Sequence, residues 1–428
     1  MFKLTNPLPQ AVKDTSKLRN FYREWNLVPY AGNTTISSHV FLKLLCSMYD
    51  LSPSHGACID DLSFWSFEGE LDIVEPLFGG RYNEISEAEK NLFFEFLDDL
   101  GISDANLIEV TRQLFLSWKK AGIAYLHYRE IRIGGTLQIF LDSIDPMNVM
   151  FLNTRPDEPR SVVISKDFFS GDFQQGEQPR LIRVYPAFSG EGNIRETIFV
   201  IRNKRDYSDW YGRPDSLESL FWMYSEWSIG NLTAKVSASE VTSKALFAME
   251  RPDPNTILKE DDPEKAFKKM VTEVRRVTTN RGDYDEAESL GVIGYPHGAK
   301  PPTVLKLDIN RDKDYLNAVF EVASSYIFAA HRWSKTLTGL VQAKSNIGGN
   351  ILIDEFLSKN TSVIKPIQRR WEREWRSIFR TIAEAAGRTE FDQRTIRFED
   401  KVSSLVESLS DGQNASNNIG SPDAGEGE

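Results

Sequence analysis

The chain has 428 residues, 40% of them hydrophobic and 26% charged, with a formal net charge of −11. That apolar share excludes a chain disordered throughout, and no stretch comes near the ~18 uninterrupted apolar residues of a membrane-spanning helix. The acidic surplus has the wrong sign for a sequence-specific duplex binder, which gains affinity by neutralising phosphates.

Met1-Phe2-Lys3-Leu4-Thr5 lacks a secretory apolar core, so secretion is not expected. Residues 1–35 hold Pro7, Pro9, Pro29 and Gly32 around a short helical pattern, Lys17 to Trp25, and read as an arm. Ser38 to Asp50 has a broad apolar helical face, ended by Pro53, and a second helix is expected from near His55. Between Glu84 and Gly101, Ser86 with Glu89 three residues on predicts a capping box. Asp104 to Ala121 reads as an amphipathic helix stopped by Gly122. The period then changes. Ile123 to Ile133 reads as a strand, Gly134-Gly135 as a two-residue turn, and Thr136 to Leu141 as the return. Further strands are expected at Val149–Leu152, Ser161–Ser165, Leu181–Tyr185 and Thr197–Arg202.

Asp215 to Glu250 reads as helix, with Asp215 as its cap, stopped by Arg251-Pro252-Asp253-Pro254. Asn255 to Lys259 looks extended, Pro263 suits the first turn of a basic helix over 264–279, and short strands are expected at Gly291–Ile293 and Thr303–Leu307. Arg311 to Trp333 has a strong helical rhythm. A Gly-containing loop, Lys335 to Asn350, leads to a long helix from Ile351 to about Ala386, which Pro366 should kink. Trp371 and Trp375, at i, i+4 among basic residues, suit a core stripe with Arg stems along it better than a nucleic-acid face. Ser410 to Glu428 is Gly-, Ser-, Asn- and Asp-rich and is expected to be disordered.

Catalytic signatures are scarce. There is no G-x-x-x-x-G-K-[ST], no G-x-G-x-x-G after a strand, no H-E-x-x-H and no G-x-S-x-G. His39, His55, His127, His297 and His331 lie far apart, and Cys46 and Cys58 fit no zinc spacing. No catalytic residue, metal or cofactor is expected.

Four stretches carry a resemblance. Leu51-Ser52-Pro53-Ser54-His55-Gly56-Ala57-Cys58-Ile59 looks like an S-P-x-H-x-x-x-I helix junction. Ala121-Gly122-Ile123-Ala124-Tyr125, followed by the hairpin and Ile144-Asp145-Pro146-Met147-Asn148-Val149, looks like a G-x-A-Y strand before P-x-x-V. Tyr211-Gly212-Arg213-Pro214 looks like YG-x-P ahead of a long helix. Asp314 to Trp333, the loop, Asp354-Glu355-Phe356 and Ile364-Lys365-Pro366-Ile367-Gln368 complete the series. In this order, over roughly residues 38–385, they resemble the portal proteins of tailed bacteriophages, in particular the short portals of the HK97-like lineage.

The resemblance implies an α+β portal fold with an α/β wing, two stem helices, a small α/β clip, a long kinked helix and a short α-helical crown. By position these would be arm and wing at 1–227 (β-rich module 123–205), stem helices at 228–250 and 309–333, clip at 251–308, tunnel loop at 334–350, kinked wing helix at 351–385, crown at 386–409 and acidic tail at 410–428. It also implies a non-enzymatic homo-oligomer, a ring of twelve at one capsid vertex of the virion, assembled in the host cytoplasm. Its partners would be the major capsid protein, the terminase motor, then neck adaptor and tail proteins, with double-stranded DNA passing through without sequence specificity and no membrane involved. Twelve copies would carry a formal charge of about −132, which discourages DNA from sticking. Lys335 and Lys344 are the tunnel-loop bases expected to touch DNA, with Gly339, Gly348 and Gly349 supplying conformational freedom; the plainer reading is a solvated loop. Lys265, Lys268, Lys269, Arg275, Arg276 and Arg281 are expected to form the clip's docking surface, the plainer reading being an exposed helix face. The short clip strands are expected to pair with a neighbouring subunit. Other readings are a neck adaptor, disfavoured by length, and a carboxylate-based hydrolase.

Overall fold

The structure, a computed structural model, describes residues 27–28, 30, 39–67, 69–77, 82–152, 160–165, 179–190, 192–203, 210–238, 246–250, 291–295, 310–338 and 349–398. The chain divides into two units, one formed by Met1–Tyr224 with Ser324–Glu428 and the other by Ser225–Ala323.

In the first unit β1 (Leu27–Val28) precedes α1 (His39–Leu51) and α2 (Pro53–Phe67). Ser52 alone separates these helices. Pro53 opens α2, where its missing N–H leaves no bond unmade. Gly56 lets α1 come close, since a Cβ there would stand 2.8 Å from the Tyr49 carbonyl oxygen. β2 (Leu71–Pro76) and β3 (Tyr82–Glu84) form an antiparallel pair absent from the sequence reading. α3 (Glu87–Asp99) carries the expected capping box. Ser86 Oγ accepts from the Glu89 N–H at 3.4 Å, and Glu89 Oε2 accepts from the Ser86 N–H at 3.1 Å. α4 (Asp104–Ala121) ends, as expected, at Gly122 with φ 74°.

β4 (Ile123–Ile133) and β5 (Thr136–Ile144) are joined through Gly134 and Gly135, whose φ values of 60° and 93° suit the tight turn. β6 (Val149–Leu152), β7 (Ser161–Ile164), β8 (Arg180–Arg183) and β9 (Ile194–Arg202) follow close to where the sequence places them. One sheet has the order β5-β4-β9 and a second β1-β6-β7-β8. β4 is central and covered on both faces, which explains its unbroken run Ile123-Ala124-Tyr125-Leu126. Ala124, Leu126 and Tyr128 join one core with Phe199 and Ile201; Ile123 and Tyr125 join another with Phe151, Val162 and Ile182.

α5 (Leu220–Ala238) runs out of the first unit, and α6 (Asn310–His331) returns to it. Asp215, expected to cap the helix, is instead the first residue of a 3₁₀ turn (Asp215–Ser219), and Pro214 takes the capping position. In the second unit β10 (Leu246–Glu250) and β11 (Gly291–Tyr295) pair in parallel, from Leu246↔Gly291 to Glu250↔Tyr295. One expectation is corrected here. The helix read through Glu250 ends at Ala238, because the short apolar run Leu246-Phe247-Ala248-Met249 suits a strand as well as a helix turn. The strand expected at 291–293 is present as β11, which pairs with β10 of its own chain along one edge. The readings at 17–25, 255–259, 264–279, 303–307 and 410–428 lie outside the described residues.

Back in the first unit, α7 (Gly349–Lys359) and α8 (Lys365–Ala386) are separated by a π-helical turn, Asn360–Ile364. This turn is the form taken by the irregularity expected at Pro366. The Lys365 N–H reaches back five residues to the Asn360 carbonyl, which widens the helix where the proline ring and its missing N–H would break an α-turn. α8 buries Trp371, Trp375, Ile378, Phe379 and Ile382 in the larger core, so the expected packing role of the tryptophans holds. The Trp375 indole N–H also donates to Thr111 Oγ1 at 2.9 Å. Trp375→Ala should cost about 3–5 kcal/mol, read as a lowered urea midpoint; a loss under about 1 kcal/mol would mean that the core is assigned wrongly.

β12 (Thr395–Phe398) adds to β2, giving the sheet order β12-β2-β3. Arg397 sits opposite Asp72 and meets it at 2.5 Å, and Lys90 reaches the same carboxylate at 2.9 Å. The short helical crown expected at 386–409 is corrected over 387–398. After Gly387 that stretch makes one 3₁₀ turn and a strand, because Ile396 and Phe398 alternate with polar residues and enter the core.

Candidate functional site

Two of the recognised stretches meet at one point. Gly122, after α4, and Gly212 of the YG-x-P segment cross backbone to backbone. A Cβ on Gly212 would overlap the Gly122 carbonyl oxygen, and one on Gly122 would overlap the Arg213–Pro214 peptide. Asn203 stitches the crossing. Its N–H donates to the Gly122 carbonyl at 2.8 Å, its carbonyl accepts from the Arg213 N–H at 3.1 Å, and its side-chain amide donates to the Arg213 carbonyl at 2.9 Å and to Asp215 at 2.8 Å. Asp215 also receives Lys119 at 3.2 Å. Burial pulls the Lys119 ammonium down from its usual range, and Asp215 opposes that pull. Arg370 of α8 donates to the Arg202 carbonyl at 2.6 Å and lies over the Trp118 ring at 4.8 Å.

Two tyrosines tie the arm to this crossing. Tyr30 Oη donates to the carbonyls of Ala121 at 2.9 Å and Gly212 at 3.2 Å. Tyr211 Oη donates to the Val28 carbonyl at 2.9 Å and accepts from the Phe151 N–H at 3.0 Å. Nothing in the sequence pointed to Tyr30, which lies in the arm, ahead of the four recognised stretches. The crossing therefore fixes where α5 departs.

The second candidate is the base of the loop after α6. His331, the last residue of α6, meets His55 of α2, Nε2 to Nδ1, at 2.8 Å, with both rings almost fully buried. Burial depresses both imidazoles, assisted by Lys120 and Lys119 at His55 and by His55 and Lys119 at His331; His55 falls to about 3 and His331 well below its usual value. Arg332 takes φ 57°, and the Trp333 N–H returns to the Phe328 carbonyl at 3.0 Å, which closes the helix end. The Trp333 indole donates to Asp61 at 3.2 Å, and Lys359 donates to the Arg332 carbonyl at 2.9 Å. Ser334 Oγ donates to Glu355 of α7 and accepts from the Thr336 N–H at 3.1 Å. The contact between Asp61 and Trp333 was not anticipated; an acid six residues beyond His55 on the same helix was the available hint.

Of the expected DNA-contacting residues, Lys335 is half-buried at the start of the turn 335–338, and Gly349 opens α7. Gly339, Lys344 and Gly348 lie outside the described residues, as do Lys265, Lys268, Lys269, Arg275, Arg276 and Arg281. Among the described residues no group of three or more His, Cys, Asp or Glu is placed to hold a metal ion, and no helix is long and apolar enough to cross a membrane. Burial, first, and Asp145 push the Cys46 thiol up to about 12, so it is not primed as a nucleophile.

No family model and no curated protein matches the chain. Solved structures do. A chain from the neck of an empty gene transfer agent particle, computed with C6 symmetry, aligns over 93% of this chain and 93% of that one, with 11% identity and a TM-score of 0.50. A chain from the neck of the native particle, computed with C12 symmetry, aligns over 94% and 93%, with 11% identity and a TM-score of 0.48. An HK97-family phage portal protein from Corynebacterium diphtheriae aligns over 84% of this chain and 95% of that one, with 11% identity and a TM-score of 0.41. The class defined is therefore an α+β chain that shares its fold, over 93% of its length, with a chain from the neck of a gene transfer agent particle.

Proposed function

We propose that the chain is a ring-forming component of a virion neck, and specifically the portal protein of a tailed phage or related particle. The observation that carries this reading is fold agreement with a particle-neck chain over 93% of both chains at 11% identity. The motif order agrees with it. The Gly122–Gly212 crossing and the His55–His331 pair put residues of all four recognised stretches into physical contacts that explain their residue types.

The ring would surround an axis at one capsid vertex, contact the major capsid protein, and serve as a conduit for packaging and ejection. The clip bases Lys265, Lys268, Lys269, Arg275, Arg276 and Arg281 would dock the terminase motor and later the neck and tail proteins. The loop at 334–350 would face passing duplex through Lys335 and Lys344, with its base fixed by Trp333–Asp61 and Ser334–Glu355. Such work is mechanical and calls for no reaction centre, cofactor or metal. Twelve copies of a 48.8 kDa chain give about 590 kDa. Light scattering on the purified full chain should show a species of about that mass; a chain that stays monomeric at every concentration and salt would overturn the reading.

A further inference from the structure

The exposed positions of α8 are Pro366, Arg369, Arg373, Arg376, Arg380 and Glu384. Their spacing of three and four residues places them on one line along the helix. The opposite face is locked into the core through Trp371, Trp375, Ile378 and Phe379. Four guanidinium groups thus stand on a rigid helix over roughly 16 Å, at 1.5 Å per residue, in a chain whose net charge is −11.

Their local partners leave most of that charge uncompensated. Among the described residues only Arg380 has a carboxylate at ion-pair distance, Glu384 at 3.1 Å. Arg376 donates to the neutral amide of Gln393 at 2.8 Å, and Arg373 to the Arg369 carbonyl at 3.3 Å. Burial holds the carboxyls of Glu372 and Glu374 above their usual range, with Arg369 opposing it at Glu372 and Arg370 and Arg373 opposing it at Glu374.

We infer that this stripe binds the phosphate backbone of double-helical DNA. The inference rests on the conduit reading for its partner and goes beyond it in site, because the loop and clip are not involved. No large apolar residue interrupts the line. A protein interface ordinarily centres on buried apolar or aromatic side chains, whereas sequence-independent DNA contact needs only positive groups facing phosphates. Packing fixes the helix, so little ordering cost remains when a duplex lies along it.

The test is binding of a short labelled duplex to the purified full chain across a salt series, beside a variant with Arg369, Arg373, Arg376 and Arg380 all changed to Gln and one with all four changed to Lys. The Gln variant should flatten the slope of log affinity against log salt by about 0.9 per contact, about 3.6 for all four. Between about 50 and 200 mM salt the wild type should lose roughly 150-fold more affinity than the Gln variant. The Lys variant should keep the slope. No salt-dependent binding by the wild type, or an unchanged slope in the Gln variant, overturns the inference. Loss of oligomer with unchanged DNA binding also overturns it, and would assign the stripe to a second copy of the chain. Light scattering on the same samples keeps the two ideas separate, since an assembled wild type with no slope change rejects the stripe and leaves the ring reading standing.

Discussion

Gly212→Ala and Gly122→Ala are expected to cost at least about 3 kcal/mol each, a large share of the about 5–15 kcal/mol that holds a typical domain folded. At Gly212 the added methyl meets the Gly122 carbonyl, a backbone atom that Asn203 also holds in a hydrogen bond. It cannot swing aside as a side-chain tip would. At Gly122 a left-handed φ of 74° adds strain of about 1–2 kcal/mol to the overlap with the Arg213–Pro214 peptide. Gly101 supplies the control. Its φ is 83°, yet nothing lies within 4 Å of an added Cβ, so Gly101→Ala should cost only about 1 kcal/mol. Urea unfolding of the three variants separates steric crossing from backbone conformation. Equal losses at all three would show that the backbone contact contributes nothing.

The buried histidines should make the protein acid-labile. Each binds a proton in the unfolded chain near pH 6.5 but resists it when folded, because the site is dry and faces Lys119 and Lys120. The unfolded state therefore gains protons first as pH falls. The stabilising contribution is complete above about pH 6.5 and declines below it, by about 1.4 kcal/mol per pH unit for each histidine. From about pH 7.5 to 5.5 the pair should remove roughly 2–3 kcal/mol. Asp61, Glu372 and Glu374 are raised by burial and act in the opposite sense at lower pH, so the comparison must be internal. A His55→Asn, His331→Gln variant places amide groups where the two bonded ring nitrogens stand and cannot take up a proton. Its unfolding midpoint should lack the extra decline; a decline equal to that of the wild type would show that the pair is not its source.

The sequence disclosed elements whose signals are local. The Ser86–Glu89 box, the Gly122 stop and the Gly134-Gly135 turn each sit within a few residues of the structure they specify. It concealed elements that depend on distant partners. β12 is four residues long and has no reason to be extended until β2, more than three hundred residues earlier, offers Asp72 to Arg397. β10 likewise exists by pairing with β11. The recognised motifs were legible as strings, but their cause was not. That Gly122 and Gly212 must both be glycine follows from a contact across ninety residues of chain. The bases of α8 read from the sequence as stems packed along a tryptophan stripe; in the structure the tryptophans turn inward while Arg369, Arg373, Arg376 and Arg380 are exposed, a separation of faces that only the packed core makes visible.

The most direct measurement is cryo-electron microscopy of the native particle with this chain located in the density. About twelve copies closed round an axis, with a bore wide enough for duplex DNA, are expected at a single vertex. A solitary copy, or a closed assembly with no continuous passage in any state, contradicts the portal reading.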